Sequence, residues 1–112
     1  MMAYENGKTL GREVRGIGRD VSLSPGINIH RTPLCGRSFE YMAEDPCLIS
    51  GIAVGVIRGI QENDVAACVK HFAANNQETR RSDVNVEIDE RTFQELYLLD
   101  FRRLCRKEKP WR

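Results

Sequence analysis

The sequence predicts an α/β fold in which helices alternate with parallel strands, and three observations carry that prediction. Apolar residues recur at helical spacing in three stretches, two short β-forming stretches lie between them, and a long polar loop follows each strand. The order is helix, strand, loop, helix, strand, loop, helix. Strands joined through a helix pair in parallel, because the crossover returns the chain to the same end of the sheet. With 112 residues there is room for one modest domain at most. A complete (β/α)8 barrel typically takes about 250.

Residues 4–17 carry Leu10, Val14 and Ile17 at the spacing of one helical face, and Gly16 and Gly18 bracket the expected end. Residues 20–24 alternate, with Val21 and Leu23 on one side, and Pro25-Gly26 closes this first strand. Residues 28–44 have no sustained period and contain Pro33 and Gly36, which makes them a long loop. Asp45-Pro46 is a strong helix start, a capping carboxylate followed by proline where the missing N–H costs nothing. Ile49, Ile52, Ala53, Val56, Ile57 and Ile60 form the apolar stripe of that helix. Gly51, Gly55 and Gly59 fall four apart on one face, which reads as close approach to a neighbouring element and not as a membrane motif. Residues 65–72 form the second strand and residues 75–89 a second polar loop. The third helix, residues 90–107, presents Phe93, Leu96, Tyr97, Phe101 and Leu104. Asp89 and Glu90 at its start, and Arg102, Arg103, Arg106 and Lys107 at its end, match the helix dipole.

Composition narrows the function classes. Lys and Arg number 17 against 16 Asp and Glu, a net charge of +1 that argues against a nucleic-acid binder with a basic surface. No apolar run reaches the roughly 18 residues of a membrane span, and the N-terminal stretch lacks the apolar core of a secretory signal. Cys35, Cys47, Cys68 and Cys105 form no C-x-x-C pair, and His30 and His71 stand far from any Cys pair. Neither a zinc site nor a disulfide framework is expected, and free thiols point to a cytoplasmic setting.

In βα architectures the working groups sit at the C-terminal ends of strands and in the loops just beyond. That rule selects the loop after the first strand, with Arg37 in Gly36-Arg37-Ser38-Phe39-Glu40-Tyr41, and the end of the second strand, Lys70-His71. Lysine beside histidine supplies a cation next to a neutral donor and acceptor, and arginine adds planar, forked donors. Such groups suit the hydroxyls of a sugar ring. The structural alternatives are a packed core histidine for His71 and a surface ion pair for Arg37.

The run GRDVSLSPGINIHRTPLCGRSFEYMAEDP, then GVIRGIQENDVAACVKHFAANNQETRR, then DERTFQELYLLDF, resembles the N-terminal catalytic domain of glycoside hydrolase family 3, most closely its β-glucosidases. The resemblance runs from about residue 11 to residue 111 and implies a partial (β/α)8 TIM-type barrel, about two parallel strands and three helices. Residues 1–112 would be a fragment of that barrel domain, with the rest of the barrel and C-terminal domains as its partners. Alanine replaces the common serine at Ala43, and Cys47 stands where an aromatic is frequent.

The resemblance implies hydrolysis of terminal β-D-glucosyl residues with retention, on a β-glucoside or short β-linked oligosaccharide, with no cofactor or metal and no nucleic-acid or membrane partner. By the same resemblance Arg37, Lys70 and His71 bind the sugar in the first subsite. Glu40, Glu44, Asp45 and Glu78 read as structural, with an ion pair expected between Glu78 and Arg80. No residue matches the family's nucleophile: Ser82-Asp83 has the wrong flanks and lies in a loop. The acid/base has no match either, so the chain alone is expected to be inactive. The chain also halts where the family's next strand is due, which reads as a truncation. The competing readings are an inactive fragment and a binding module using the basic residues 102–112.

Overall fold

A computed structural model describes residues 2–107 of the chain. Helix α1 (Met2–Gly16) leads to strand β1 (Val21–Ser22), helix α2 (Pro46–Gln61), strand β2 (Ala66–Ala67) and a final rod. The rod opens as α3 (Glu90–Thr92), widens into a π-helical turn over Phe93–Tyr97 and continues as α4 (Leu98–Lys107). The fold class is therefore the expected one, α/β with two parallel strands. No helix among the described residues is long and apolar enough to cross a membrane.

Parallel pairing joins Val21 to Ala66 and Ser22 to Ala67, with a further parallel bridge between Gly26 and Lys70. Hydrogen bonds continue the ladder: Cys68 N donates to Ser22 O, Lys70 N to Pro25 O and Ile27 N to Lys70 O. Three steps on the first strand, Ser22 to Pro25, oppose two on the second, Cys68 to Lys70. That extra residue is a bulge, and it explains why the regular strands are shorter than residues 20–24 and 65–72 suggest. Val21 and Leu23 share one side as expected, but it is the exposed side, with Ser22 buried between them. The Ser24–Pro25, Lys70–His71 and Phe72–Ala73 peptide bonds are cis.

Helix α2 begins as the sequence indicates. Asp45 is extended, and its carboxylate accepts from Cys47 N at 2.8 Å, with Pro46 in the first turn. Ile49, Ala53, Val56, Ile57 and Ile60 are buried together with Ile27, Ile29, Val65 and Ala67, and this cluster is the core. Helix α1 lies along α2 with Leu10 and Val14 of the expected face packed against the core, while Ile17 falls past the helix end and is 74% exposed. The buried residues at the seam are Gly7 and Gly11. A Cβ on Gly11 would sit 2.7 Å from Ile60 O, and Cβ atoms on Gly7 or Gly59 would run into the backbone of the facing helix. Gly55 also faces α1, against Ala3, whereas Gly51 meets nothing. At the end of the seam Glu62 takes Tyr4 and Lys8, the latter at 2.9 Å, and Arg15 reaches Asp64 O.

The last rod rests on α2 through Tyr97 and Leu104, and its start is capped by Asp89, which accepts from Thr92 N at 2.9 Å. The phenyl rings of Phe72 and Phe101 meet edge-on with centroids 5.0 Å apart. Asp100 is 1% exposed in this rod, neither carboxylate oxygen has a hydrogen-bond partner, and burial pushes its pKa up to about 7.

Candidate functional site

Both loops that follow the strands fold back over the same end of the sheet. Three anchors hold them. His30 N donates to Ala43 O at 2.9 Å, Asn76 Nδ2 to Ile29 O at 2.6 Å, and Asn28 Nδ2 to His71 O at 2.9 Å. Asn28 is buried at the first loop's start, and its side-chain oxygen also accepts from Asn75 N at 3.1 Å. One asparagine thus ties the end of the second strand to the end of the first. An open groove of about 500 Å3 lies between the loops, bordered by Thr32, Cys35, Asn76 and Glu78.

This folding brings Arg37, Lys70 and His71 to one rim, and two glutamates hold the cations there. Glu40 divides its carboxylate: Oε1 accepts from Arg37 Nη1 at 2.9 Å and Oε2 pairs with Lys70 Nζ at 2.8 Å. Glu78 does the same, with Oε1 on Arg37 Nε at 2.9 Å and Oε2 on Arg81 Nη1 at 3.3 Å. The result is an unbroken series, Lys70–Glu40–Arg37–Glu78–Arg81, with three cations against two carboxylates. Arg37 spends two of its five N–H donors on this series and keeps the remainder of its fork.

The electrostatics follow from these pairs. Hydrogen bonds from Glu78 and then Glu40 hold the Arg37 guanidinium firmly charged. Burial would raise the Glu40 carboxyl, but the Lys70 and Arg37 hydrogen bonds outweigh it and hold it below the usual carboxylate range. The Arg37 hydrogen bond lowers Glu78 likewise. His71 is pushed down by burial and by the positive charges of Arg37 and Lys70, which favours the neutral ring at pH 7. Its Nδ1 lies 3.0 Å from the hydroxyl of Tyr41, a residue 5% exposed.

Several residues of this rim do not stand out in the sequence. Glu40 and Glu78 are structural in the sense expected, but what they structure is the site itself. The i, i+3 spacing of Arg37 and Glu40 is a signal for the first pair. Arg81 joins through Glu78, which corrects the expected partner: Arg80 turns instead to Asp83 at 3.8 Å. Arg80 has φ 53°, a left-handed backbone conformation in the turn between Glu78 and Asp83. Asp83, of the rejected Ser82-Asp83 pair, is exposed and pairs with Arg80, outside the rim series.

Among the described residues, no group of three or more His, Cys, Asp or Glu side chains is placed to hold a metal ion. The free thiols of Cys35 and Cys68 are half-buried, and those of Cys47 and Cys105 are exposed. Of the basic residues 102–112, Arg102 donates to Gln94 O at 2.5 Å and Arg103 to Ser50 Oγ at 3.4 Å. Residues 108–112 lie outside the described residues.

The model of the glycosyl hydrolase family 3 N-terminal domain matches residues 1–109. The thermostable beta-glucosidase B of Acetivibrio thermocellus is 50% identical over 105 residues, which is 94% of this chain and 14% of that protein. An exo-alpha-(1->6)-L-arabinopyranosidase of Bifidobacterium longum is 47% identical over 91 residues, 81% of this chain and 12% of its own length. Among solved structures, beta-glucosidase 3B of Thermotoga neapolitana in complex with glucose superposes with a TM-score of 0.92 at 50% identity, covering 97% of this chain and 15% of that one. The chain therefore spans about one seventh of the length of the relatives it matches. The parallel strands, the helices and the rim at their C-terminal end are a portion of a (β/α)8-type barrel, and the chain belongs to glycosyl hydrolase family 3, as a fragment of its N-terminal domain.

Proposed function

We propose that this chain supplies the glucose-binding rim of a retaining β-glucosidase, with Arg37, Lys70 and His71 holding hydroxyls of the sugar in the first subsite. The observation that carries the reading is the divided carboxylate of Glu40, which fixes Arg37 and Lys70 relative to each other beside a neutral His71. Because Glu40 and Glu78 neutralise most of the positive charge, the rim favours neutral hydroxyls over a carboxylate or phosphate. Arginine and lysine donate, and an imidazole can donate or accept, so one ring meets several directed hydrogen bonds.

Chemistry in such an enzyme passes through a covalent glycosyl-enzyme and needs a nucleophile and an acid/base about 5–5.5 Å apart. Neither rim glutamate suits those tasks. Both are locked onto cations and held low in pKa, whereas a general acid needs a raised one. The mechanism thus belongs to the whole enzyme, and this chain contributes binding and orientation. The arabinopyranosidase relative suggests that sugar identity is set partly by groups beyond this rim.

The test is a titration of the 15N-labelled chain with glucose and with methyl β-glucoside. Amide and side-chain shifts clustered at Arg37, Lys70 and His71, abolished in Arg37→Met, support the reading. Shifts elsewhere, or none up to the solubility of the sugar, contradict it. Incubation with an aryl β-glucoside should release no phenol, and turnover by the pure chain would overturn the division of labour.

A further inference from the structure

We propose that Tyr41 fixes His71 as its Nδ1–H tautomer, so that Nε2 is left as a hydrogen-bond acceptor for a sugar hydroxyl. The protons available around a buried phenol decide the tautomer. Tyr41 Oη lies 2.9 Å from Asn75 O, 3.2 Å from Asn28 Oδ1 and 3.0 Å from His71 Nδ1. The first neighbour is a backbone carbonyl, which only accepts. The second is an acceptor too, because the Asn28 amide is oriented at both ends: Oδ1 receives Asn75 N at 3.1 Å and Nδ2 donates to His71 O at 2.9 Å. Tyr41 is buried, which pushes its pKa up and keeps its proton in place, so it has one proton to give.

Two oxygens 2.9 Å apart need a hydrogen between them, and Asn75 O has none to offer. The Tyr41 proton therefore lies toward Asn75 O, with Asn28 Oδ1 sharing it at longer range. The 3.0 Å approach of Tyr41 Oη to Nδ1 then requires a proton from the imidazole. In a neutral ring, a proton on Nδ1 leaves a lone pair on Nε2. Nε2 makes no hydrogen bond among the described residues.

The consequence for recognition rests on the sugar-binding reading above. Lys70 can only donate and, in this tautomer, His71 can only accept. Side by side they require a partner that accepts from one and donates to the other, which a hydroxyl does and an ether or a fluorine does not. Tyr41 is then a positioning residue acting through His71.

The experiment is a long-range 15N–1H correlation spectrum of the histidine rings in the intact 112-residue chain at pH 8, before and after addition of glucose. The proposal expects His71 Nδ1 to carry the proton and Nε2 to show the signature of a bare nitrogen, which moves when glucose binds. A proton on Nε2 overturns the tautomer. If glucose shifts Arg37 and Lys70 but leaves Nε2 unmoved, the acceptor role fails and the sugar-binding reading stands. If glucose shifts none of the three, that reading fails as well. Tyr41→Phe should let both tautomers appear and weaken glucose binding by about 2- to 10-fold, the effect of one net hydrogen bond. An unchanged tautomer in that variant overturns the role of Tyr41. Should the variant not fold, 2-, 3-, 4- and 6-deoxyfluoroglucose with the unaltered chain supply the binding test. At least one must bind about 2- to 10-fold more weakly than glucose, and equal binding of all four contradicts acceptance by Nε2.

Discussion

The seam between α1 and α2 and the rim formed by Arg37, Glu40, Lys70 and Glu78 are both close-fitting, but different physics makes them so. At the seam Gly7, Gly11, Gly55 and Gly59 remove side chains so that two backbones touch, and specificity lies in the absence of atoms. At the rim, charged side chains meet at 2.8–3.3 Å, and specificity lies in which oxygen serves which cation. A methyl group therefore breaks the first region and a charge change breaks the second. The seam carries stability and, on the function proposed above, the rim carries recognition. The partly buried ion pairs that join Lys70, Glu40, Arg37 and Glu78, with side chains 16–28% exposed, gain little more from one another than they lose on leaving water.

The sharpest way to break that division is Gly59→Ala, whose Cβ would meet Tyr4 O and the backbone of Gly7 and Lys8. Overpacking against backbone on a facing helix is expected to cost about 3 kcal/mol or more, visible in urea unfolding. A near-neutral result would show that the helices separate freely. Asp100 sharpens the comparison from the opposite side, as a carboxylate placed in packed surroundings without a hydrogen-bonding partner, unlike those of the rim. A folded pKa of about 7 against an ordinary 3.8 means the folded state binds its proton more tightly. Stability is then fullest below about pH 4 and falls as pH rises toward 7. The gap caps the effect at about 4 kcal/mol, of which about 2 is expected after the side chain relaxes toward water. Asp100→Asn should accordingly stabilise the chain at pH 8 and leave it nearly unchanged at pH 4. Equal effects at both values would contradict this.

Smaller effects follow. Asp45→Ala removes the cap of α2 and should cost about 1 kcal/mol by thermal melting. Gly51→Ala, on the same helix as Gly59 but facing open space, should raise stability by up to about 1 kcal/mol. Opposite signs at Gly51 and Gly59 are the clearest signature of the seam.

Much of this organisation is legible in the residues and some of it is not. Helix α2 is, because Asp45-Pro46 and the isoleucine stripe are local signals that tertiary packing reinforces. The small-residue face of α2 is half legible: Gly55 and Gly59 mark a close neighbour, but only the fold shows that Gly7 and Gly11 answer them and that Gly51 does not. For α1 the apolar period is right at Leu10 and Val14, which pack against the core, while Ile17 falls past the helix end, and the glycine contacts beside them go unannounced. Backbone-to-backbone packing leaves little apolar trace. The strands are read too long, because a bulge is a mismatch between two segments and neither segment alone reveals it. In the last helix the period is right at Phe93, Tyr97, Phe101 and Leu104 but not at Leu96, which lies exposed, and the π-helical turn at Phe93–Tyr97 and the burial of Asp100 carry no local mark.

The rim divides the same way. Arg37, Lys70 and His71 are found by their place after the strands and by the family resemblance. Glu40 lies one turn from Arg37 and is findable by spacing, whereas Glu78 and Arg81 come from 41 residues or more along the chain and only folding brings them in. Tyr41 and Asn28 are invisible as site residues because their roles consist of hydrogen bonds to backbone and ring atoms across the two loops.

The central claim, that Glu40 orders the rim for sugar and not for stability, is tested most directly by comparing glucose titrations of the chain and of its Glu40→Gln variant, with thermal melts of both. The account predicts that Glu40→Gln weakens glucose binding about tenfold or more while the variant stays folded and loses no more than about 2 kcal/mol of stability. Binding that survives unchanged in a well-folded Glu40→Gln chain would contradict it.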